Sequence, residues 1–392
     1  MSESIWTDTG EELDLEKTKE KTDRKCPQCG GVMDFDPQTG GMRCPYCDYT
    51  QAIAAQPDDG TKTAEELDFE SALHKENCDW GVKKKVVICK ACGAQLVYDE
   101  LEIANECPYC GSNQVMEEKG EDTLAPGGVV PFAVTVKEAA AKFAGWIRRK
   151  LFCPRAAKQS AKPDAFKGVY LPYWTFDART VSDYAAEYGI DRRVRDREGR
   201  ERVVTDWHPC SGRYREDIDD ELVLASTRYP ESLIREVEPF RTSENKAYQP
   251  EYVAGFIAER YSLGLKDAWE KAKAFIGSRL RARIEEQLRM QHRADHVRIR
   301  NVRTSYFGVT YKYLLLPVWL SSYRYKGKIY HFMVNGQSGK AGGQVPVSPM
   351  RVGILFLLLL AVFLLFSDYA LYGGILLLLA GVLSVVCYLM NM

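Results

Sequence analysis

The period of the apolar positions changes along the chain, and the changes divide it into segments. Residues 1–23 are polar and charged with a single aromatic, Trp6, which predicts a disordered leader. Within 52–85, a break at Pro57-Asp-Asp-Gly60 precedes Leu67, Phe69 and Leu73, a spacing that suits a short helix in a connector. The stretch 117–128 is charged and then Pro/Gly-rich, and reads as a linker.

From 129 to 347 the pattern predicts one α+β domain. Val129–Val136 has strand character. Lys137–Phe152 reads as an amphipathic helix with Ala140, Phe143, Ala144, Ile147 and Leu151 on one face. Gly168–Trp174, Val181–Ile190 and Arg202–Trp207 read as strands, the last two joined through the charged turn Asp191–Glu201 into a long hairpin with a solvated tip. From Pro250 onward the chain reads as helix, with Ala268, Ala272, Ile276, Leu280, Ile284 and Leu288 at i, i+4 spacing. Strands return at Val297–Val302 and Val309–Leu316, and Ser321–Val334 reads as a hairpin turning at Lys326-Gly327. Leu316-Pro-Val-Trp319 echoes Leu171-Pro-Tyr-Trp174, which suggests a weak internal duplication.

The end of the chain departs from this pattern. Val352–Phe366 is an unbroken apolar run of about 22 Å if helical, and Ala370–Met390 is a second of about 32 Å, with Ser367-Asp-Tyr369 between them. The expectation over 351–392 is two transmembrane helices, or one span plus a re-entrant segment. Lys326, Lys328, Lys340 and Arg351 precede the first run, and the short loop carries Asp368 without Lys or Arg. The positive-inside rule then places the soluble part in the cytoplasm and the protein at the inner (cell) membrane, multi-pass, with the lipid bilayer as a partner. The first residues contain no apolar signal-peptide core.

Charge and cysteine change the picture most. The formal net charge of −1 over 392 residues argues against a strongly basic nucleic-acid binder. Eight of the twelve cysteines fall into two sets of one spacing: Cys26, Cys29, Cys44, Cys47, and Cys89, Cys92, Cys107, Cys110. Each set reads C-x2-C, fourteen residues, C-x2-C, and the second is the first displaced by 63 residues. Two facing knuckles supply four thiolates to a tetrahedral ion, so both sets predict zinc ribbons of small β type, at 24–51 and 86–116, holding two Zn2+ ions. The metal replaces a core that some thirty residues cannot build. Gly30, Gly93 and Gly111 follow knuckles where a positive φ relieves the turn, whereas Asp48 stands in that place after Cys47. Val32–Asp36 and Gln95–Asp99 are the expected ribbon strands. A rubredoxin-like iron centre is the redox alternative. His74 and Cys78 offer a further ligand pair or, more simply, a helix-end histidine and a buried thiol.

Other features give less. Each ribbon is near charge balance, which disfavours a phosphate-tracking surface. The arginine-rich stretch 279–303 reads as the solvated face of a helix, with contact to anionic lipid as its functional alternative. No P-loop, HExxH, GxSxG or dinucleotide fingerprint occurs. His292 and His296 share a helical spacing without a carboxylate constellation. The sequence therefore predicts no enzyme, no catalytic residue and no evident small-molecule substrate.

The ribbons, together with Gly168-Val-Tyr-Leu-Pro-Tyr-Trp-Thr-Phe-Asp177, Tyr252-Val-Ala-Gly-Phe256, Leu315-Leu-Pro-Val-Trp319 and Val334-Asn-Gly-Gln-Ser-Gly-Lys340, resemble a group of bacterial proteins labelled TFIIB-type zinc ribbon, or primosomal protein N′ (helicase)-like; this is the YdjG-like family. The resemblance spans about 25–345; Cys89-Lys-Ala-Cys92 lacks the proline of its pattern, and no helicase motor motif is present. It implies a membrane-anchored adaptor that recruits SPFH (flotillin-like) or PspA-like membrane-stress proteins, with the eight cysteines named above as zinc ligands and no catalytic residues. A membrane-tethered nucleic-acid binder is the alternative.

Overall fold

The computed structural model describes residues 24–53, 63–72, 84–89, 95–99, 107, 115–118, 125–154, 166–195, 201–229, 231–325 and 328–366. The leader, the Pro57–Gly60 break, His74, Cys78, Cys92, Cys110, the hairpin tip 196–200 and the run Ala370–Met390 lie outside the described residues.

The chain begins with a small sheet of β1 (Asp34–Asp36), β2 (Gly41–Arg43) and β3 (Thr50–Gln51), ordered β1-β2-β3. Next come β4 (Leu67–Asp68), α1 (Phe69–Ala72), β5 (Lys84–Cys89), β6 (Gln95–Asp99) and β7 (Val115–Glu118). The remainder runs β8 (Gly128–Val129), α2 (Val136–Arg148), β9 (Lys167–Arg195), β10 (Glu201–Leu224), α3 (Glu231–Val237), β11 (Lys246–Ala247), β12 (Ile257–Glu259), α4 (Leu265–His292), β13 (His296–Tyr325), β14 (Lys328–Asn335), β15 (Ala341–Gly343) and α5 (Pro349–Phe366). A second sheet has the order β11-β8-β13-β9-β12-β6-β5-β7, with β10 on β9, β14 and β4 on β13, and β15 on β14.

The frame is the antiparallel pairing of β9 with β13, from Lys167↔Leu320 to Gly189↔His296. Val169–Phe176 and Tyr311–Ser321 are buried at every position, as expected of strands covered on both faces. Tyr170, Trp174 and Phe176 join Tyr313, Leu315 and Trp319 on one side. Val169, Leu171 and Tyr173 join Leu314, Leu316 and Val318 on the other. Further out, α4 lies over the strands and buries Ile284 and Leu288 against Ala186.

The two Leu-Pro-aromatic/aliphatic-Trp segments face each other across this ladder. Leu171 pairs with Leu316, with Tyr170↔Pro317 and Pro172↔Leu315 on either side. Each tryptophan donates its indole N–H to the loop that opens the other unit's helix: Trp174 Nε1 to Leu263 O at 2.9 Å, before α4, and Trp319 Nε1 to Val134 O at 2.8 Å, before α2. The short strands cross over in the same way. β12 runs parallel to β9, and β8 runs parallel to β13. The units β8-α2-β9-β10 and β12-α4-β13-β14 thus repeat one β-α-β-β order about a pseudo-twofold through Leu171 and Leu316.

Both neighbours of β9 bulge at one level. One extra residue is inserted in β10 between Ile218 and Glu221, and one in β13 between Phe307 and Thr310, opposite 176–179. Asp220 (φ 47°) and Gly308 (φ 57°) supply the left-handed positions. Lys312 is buried there, with Asp220 at 2.8 Å, Glu66 at 3.1 Å and Asp177 at 3.6 Å. These contacts tie the segment before β4 to the bend.

The expected fold class is corrected in the central region, in the second ribbon and at the end of the chain. The region 129–347 is dominated by one curled sheet and is not an α+β unit. Val129–Val136 gives only the two-residue β8 before the Thr135 capping box of α2. Val297–Val302 and Val309–Leu316 are one continuous strand, because the break between them is a bulge. The ribbon at 86–116 is no separate small-β layer among the described residues: β6 pairs with β12, so β5, β6 and β7 extend the main sheet.

The third correction concerns the end of the chain. Among the described residues no helix is long and apolar enough to cross a membrane. The expected transmembrane hairpin, and with it the multi-pass inner-membrane placement, does not stand. The first turn of α5 is committed to the folded domain: the Arg351 guanidinium donates to the carbonyls of Leu151 (3.0 Å) and Cys153 (2.6 Å).

The reciprocal indole bonds give the first prediction. Trp174→Phe leaves a buried carbonyl, and Trp319→Phe a half-buried one, without its donor, and each should cost about 1–3 kcal/mol in urea denaturation followed by circular dichroism. Unchanged midpoints in both variants would remove the crossed tryptophans from the account.

Candidate metal centre

Both knuckles of the first ribbon have the same backbone pattern. Cys26 N donates to Gly31 O (2.6 Å) and Gly30 N to Cys26 O (2.8 Å); Cys44 N donates to Tyr49 O (2.8 Å) and Asp48 N to Cys44 O (3.0 Å). The fifth residue of each turn is left-handed, Gly30 at φ 75° and Asp48 at φ 60°. Asp48 thus fills the glycine role in the second knuckle, since a short polar side chain tolerates this region. Its carboxylate is held by Arg43 at 2.7 Å.

These turns bring the thiols of Cys26, Cys29, Cys44 and Cys47 within 4.8 Å of one another. The Sγ atoms of Cys26 and Cys47 are 3.5 Å apart, as are those of Cys29 and Cys44. A tetrahedral zinc with Zn–S of ~2.3 Å needs sulfurs ~3.8 Å apart, so the four residues fit the ion, and no disulfide competes among them. Cys26 and Cys44 are buried, whereas Cys29 is exposed.

The thiols share their protons unevenly. Burial opposes charge on Cys44, but the backbone amides of Tyr46 and Cys47 and the thiols of Cys29 and Cys47 outweigh it and lower Cys44 to about 7. Cys47 accepts from the Tyr49 amide, yet burial and the thiols of Cys26, Cys29 and Cys44 push it up to about 12. Four crowded sulfurs cannot all ionise without a cation among them.

One face of this ribbon is fixed to the main core. Phe35 N donates to Ala254 O at 3.1 Å. The Phe35 ring packs on Tyr252 and Phe256, at 5.8 and 6.4 Å between centroids. Gly255, at φ 76°, leaves room for Asp34: a Cβ there would lie 2.8 Å from the Asp34 carboxyl carbon. Tyr46, in the second knuckle, is 78 % exposed.

The second ribbon is described in part. Cys89 ends β5 and is buried, as is Cys107, with Val87 buried in the same core. Cys92 and Cys110 lie outside the described residues, as does the His74/Cys78 pair. Gln95–Asp99 is β6, as its sequence suggests.

The structure disperses the other sequence candidates. His292 stacks on Tyr188 at 4.0 Å between centroids, with His208 on Tyr188 at 5.2 Å. His296 contacts Asp191 at 3.2 Å. The arginine-rich stretch is largely absorbed internally: Arg279 pairs with Glu221, Arg289 with Glu285 and Arg300 with Glu187, while Arg298 lies 3.7 Å over the Trp207 ring. The Asn335–Lys340 segment is structural too. Asn335 Oδ1 accepts from the Gln337 and Ser338 amides, and its Nδ2 donates to Val237 O and Pro239 O. Gln337 exchanges bonds with the Arg241 backbone.

One group escaped the sequence reading. The carboxylates of Asp177, Asp219 and Asp220 lie within 4.8 Å of one another. Lys312 supplies their counter-charge from within the sheet, and burial raises the Asp177 carboxyl above its usual range. Only the run Asp217–Asp220 hinted at it, and its partners come from strands over 40 residues away in either direction.

No family model matches the chain, and no solved structure matches it. The chain is similar to the uncharacterized protein YdjG of Bacillus subtilis (strain 168), with 29% identity over 339 residues, covering 85% of this chain and 92% of that protein.

Replacing Cys44 by Ser should remove one equivalent of zinc by elemental analysis and leave the remainder bound; unaltered zinc content would contradict the tetrathiolate assignment. Asp48→Val should retain the metal but lower thermal stability by about 1–2 kcal/mol, whereas Asp48→Gly should stay close to the parent.

Proposed function

We propose that the chain is a non-enzymatic zinc-ribbon adaptor whose first ribbon docks a protein partner. The observation that carries this reading is the placement of Tyr46. It stands exposed on a knuckle of the four-thiol cluster, in a ribbon pinned to the core through Phe35. A rigid, exposed aromatic is a common anchor at protein interfaces. Charge supports protein over nucleic acid. Arg43 in this ribbon is already engaged by Asp48, and Arg279, Arg283, Arg289 and Arg300 of the arginine-rich stretch are paired with carboxylates of this chain. Neither leaves the basic excess that phosphate contact requires. The partner class comes from the sequence resemblance: a flotillin-like SPFH protein or a PspA-like protein.

A pull-down of purified zinc-loaded chain against one protein of each class tests this reading. Retention should fall about tenfold or more for Tyr46→Ala, the loss expected of an interface anchor, with zinc content unchanged. Retention of neither class by the parent chain, or salt-dependent DNA or RNA binding in their place, would overturn it.

A further inference from the structure

The exposed Tyr46 does not stand apart from the thiols. A Cβ on Gly31 would lie 2.5 Å from Tyr46 Cδ2 and 3.4 Å from Cys29 Sγ, so the ring and that sulfur meet over the glycine. The Tyr46 amide donates to the Cys44 thiol. Tyr46 is thus seated beside one sulfur by its ring and on another by its backbone. These two sulfurs belong to opposite knuckles and lie 3.5 Å apart.

The four thiols are not equally reachable. Cys26 and Cys44 are buried and Cys47 is half-buried, but Cys29 is exposed. Four thiolates close the coordination shell of a tetrahedral ion, so a reagent from solvent meets a sulfur first. Oxidation of a thiolate follows its exposure, which selects Cys29. Its neighbour across the cluster, Cys44, is placed to resolve the product, while Cys26 faces Cys47 at the same 3.5 Å.

We propose that the first ribbon is a peroxide-sensitive switch on partner docking, in which Cys29 is oxidised and Cys44 resolves it. The switch rests on the adaptor reading above. The Cys29 thiolate attacks hydrogen peroxide: an S–O bond forms, the O–O bond breaks, and the departing hydroxide takes a proton to become water. Cys29 is then a sulfenic acid. The Cys44 thiolate displaces its hydroxide, which also leaves as water, and an S–S bond forms. Two thiolates have given two electrons to one peroxide, reduced to two waters. Cys26 and Cys47 remain, too few ligands to keep the ion. The new bond draws both sulfurs away from Tyr46, so its ring and its amide lose their seats together.

Substoichiometric hydrogen peroxide added to the zinc-loaded full chain tests this. Arg43 lies between the knuckles, so trypsin separates Cys29 from Cys44 and mass spectrometry reads any bond between them. The Cys29–Cys44 disulfide should be the first to form in this ribbon. Zinc content should fall in step with it, and a thiol reductant with added zinc should reverse both. Cys29→His keeps four ligands of a Cys3His type and should leave Cys44 reduced severalfold longer. Prior oxidation of another thiol of this ribbon overturns the proposal, as does Cys44 oxidation within about twofold of the parental rate in zinc-loaded Cys29→His. Should that variant lose its zinc, the order of oxidation in the parent decides. Partner retention before oxidant tests the adaptor reading by itself; retention that survives formation of the Cys29–Cys44 disulfide overturns the switch alone.

Discussion

The structure depends on the antiparallel contact of β9 with β13. Roughly ten residues of each strand are buried on both faces, so this ladder separates two cores and belongs to both. The Leu-Pro motifs meet at its centre, and each tryptophan satisfies its indole N–H on the loop entering the other unit's helix. Neither unit is complete alone, because β8 and β12 pair with the long strand of the opposite unit. That exchange explains why a duplicated sequence gives one sheet and not two domains.

The ribbons are appended to this frame by different means. The first keeps its own small sheet and docks through Phe35 and the segment around Ala254. The second gives up its independence, since β6 adds directly to β12. A metal that organises the first ribbon therefore rigidifies an exposed knuckle already oriented by the core. In the proposed role, that knuckle is the part presented to a partner.

Much of this was legible in the sequence because local spacing sets local structure. The i, i+4 stripe from Ala268 to Leu288 lies buried on α4, and the long charged hairpin became β9 and β10. The CxxC spacing brought four thiols of the first ribbon together. The features that were not legible depend on long-range contacts. The echo of Leu171-Pro-Tyr-Trp174 in Leu316-Pro-Val-Trp319 was visible, but nothing local shows that the two segments pair. Bulges at Asp220 and Gly308 broke the apparent period and split one strand into two. The apolar run after Arg351 reads as a span by hydropathy, yet among the described residues no helix is long and apolar enough to cross a membrane. Lys312 and its carboxylates come from four separate stretches, so no window of sequence contains the cluster.

Amide hydrogen exchange before and after removal of zinc by a chelator tests the central claim most directly. If the β9–β13 ladder is the frame and the ribbons are appended to it, amides of 169–176 and 311–320 stay the slowest to exchange, while those of 26–51 lose protection when the metal is withdrawn. Simultaneous loss of protection in the ladder and the ribbon would contradict the account and make the metal, not the paired strands, the element that holds the fold.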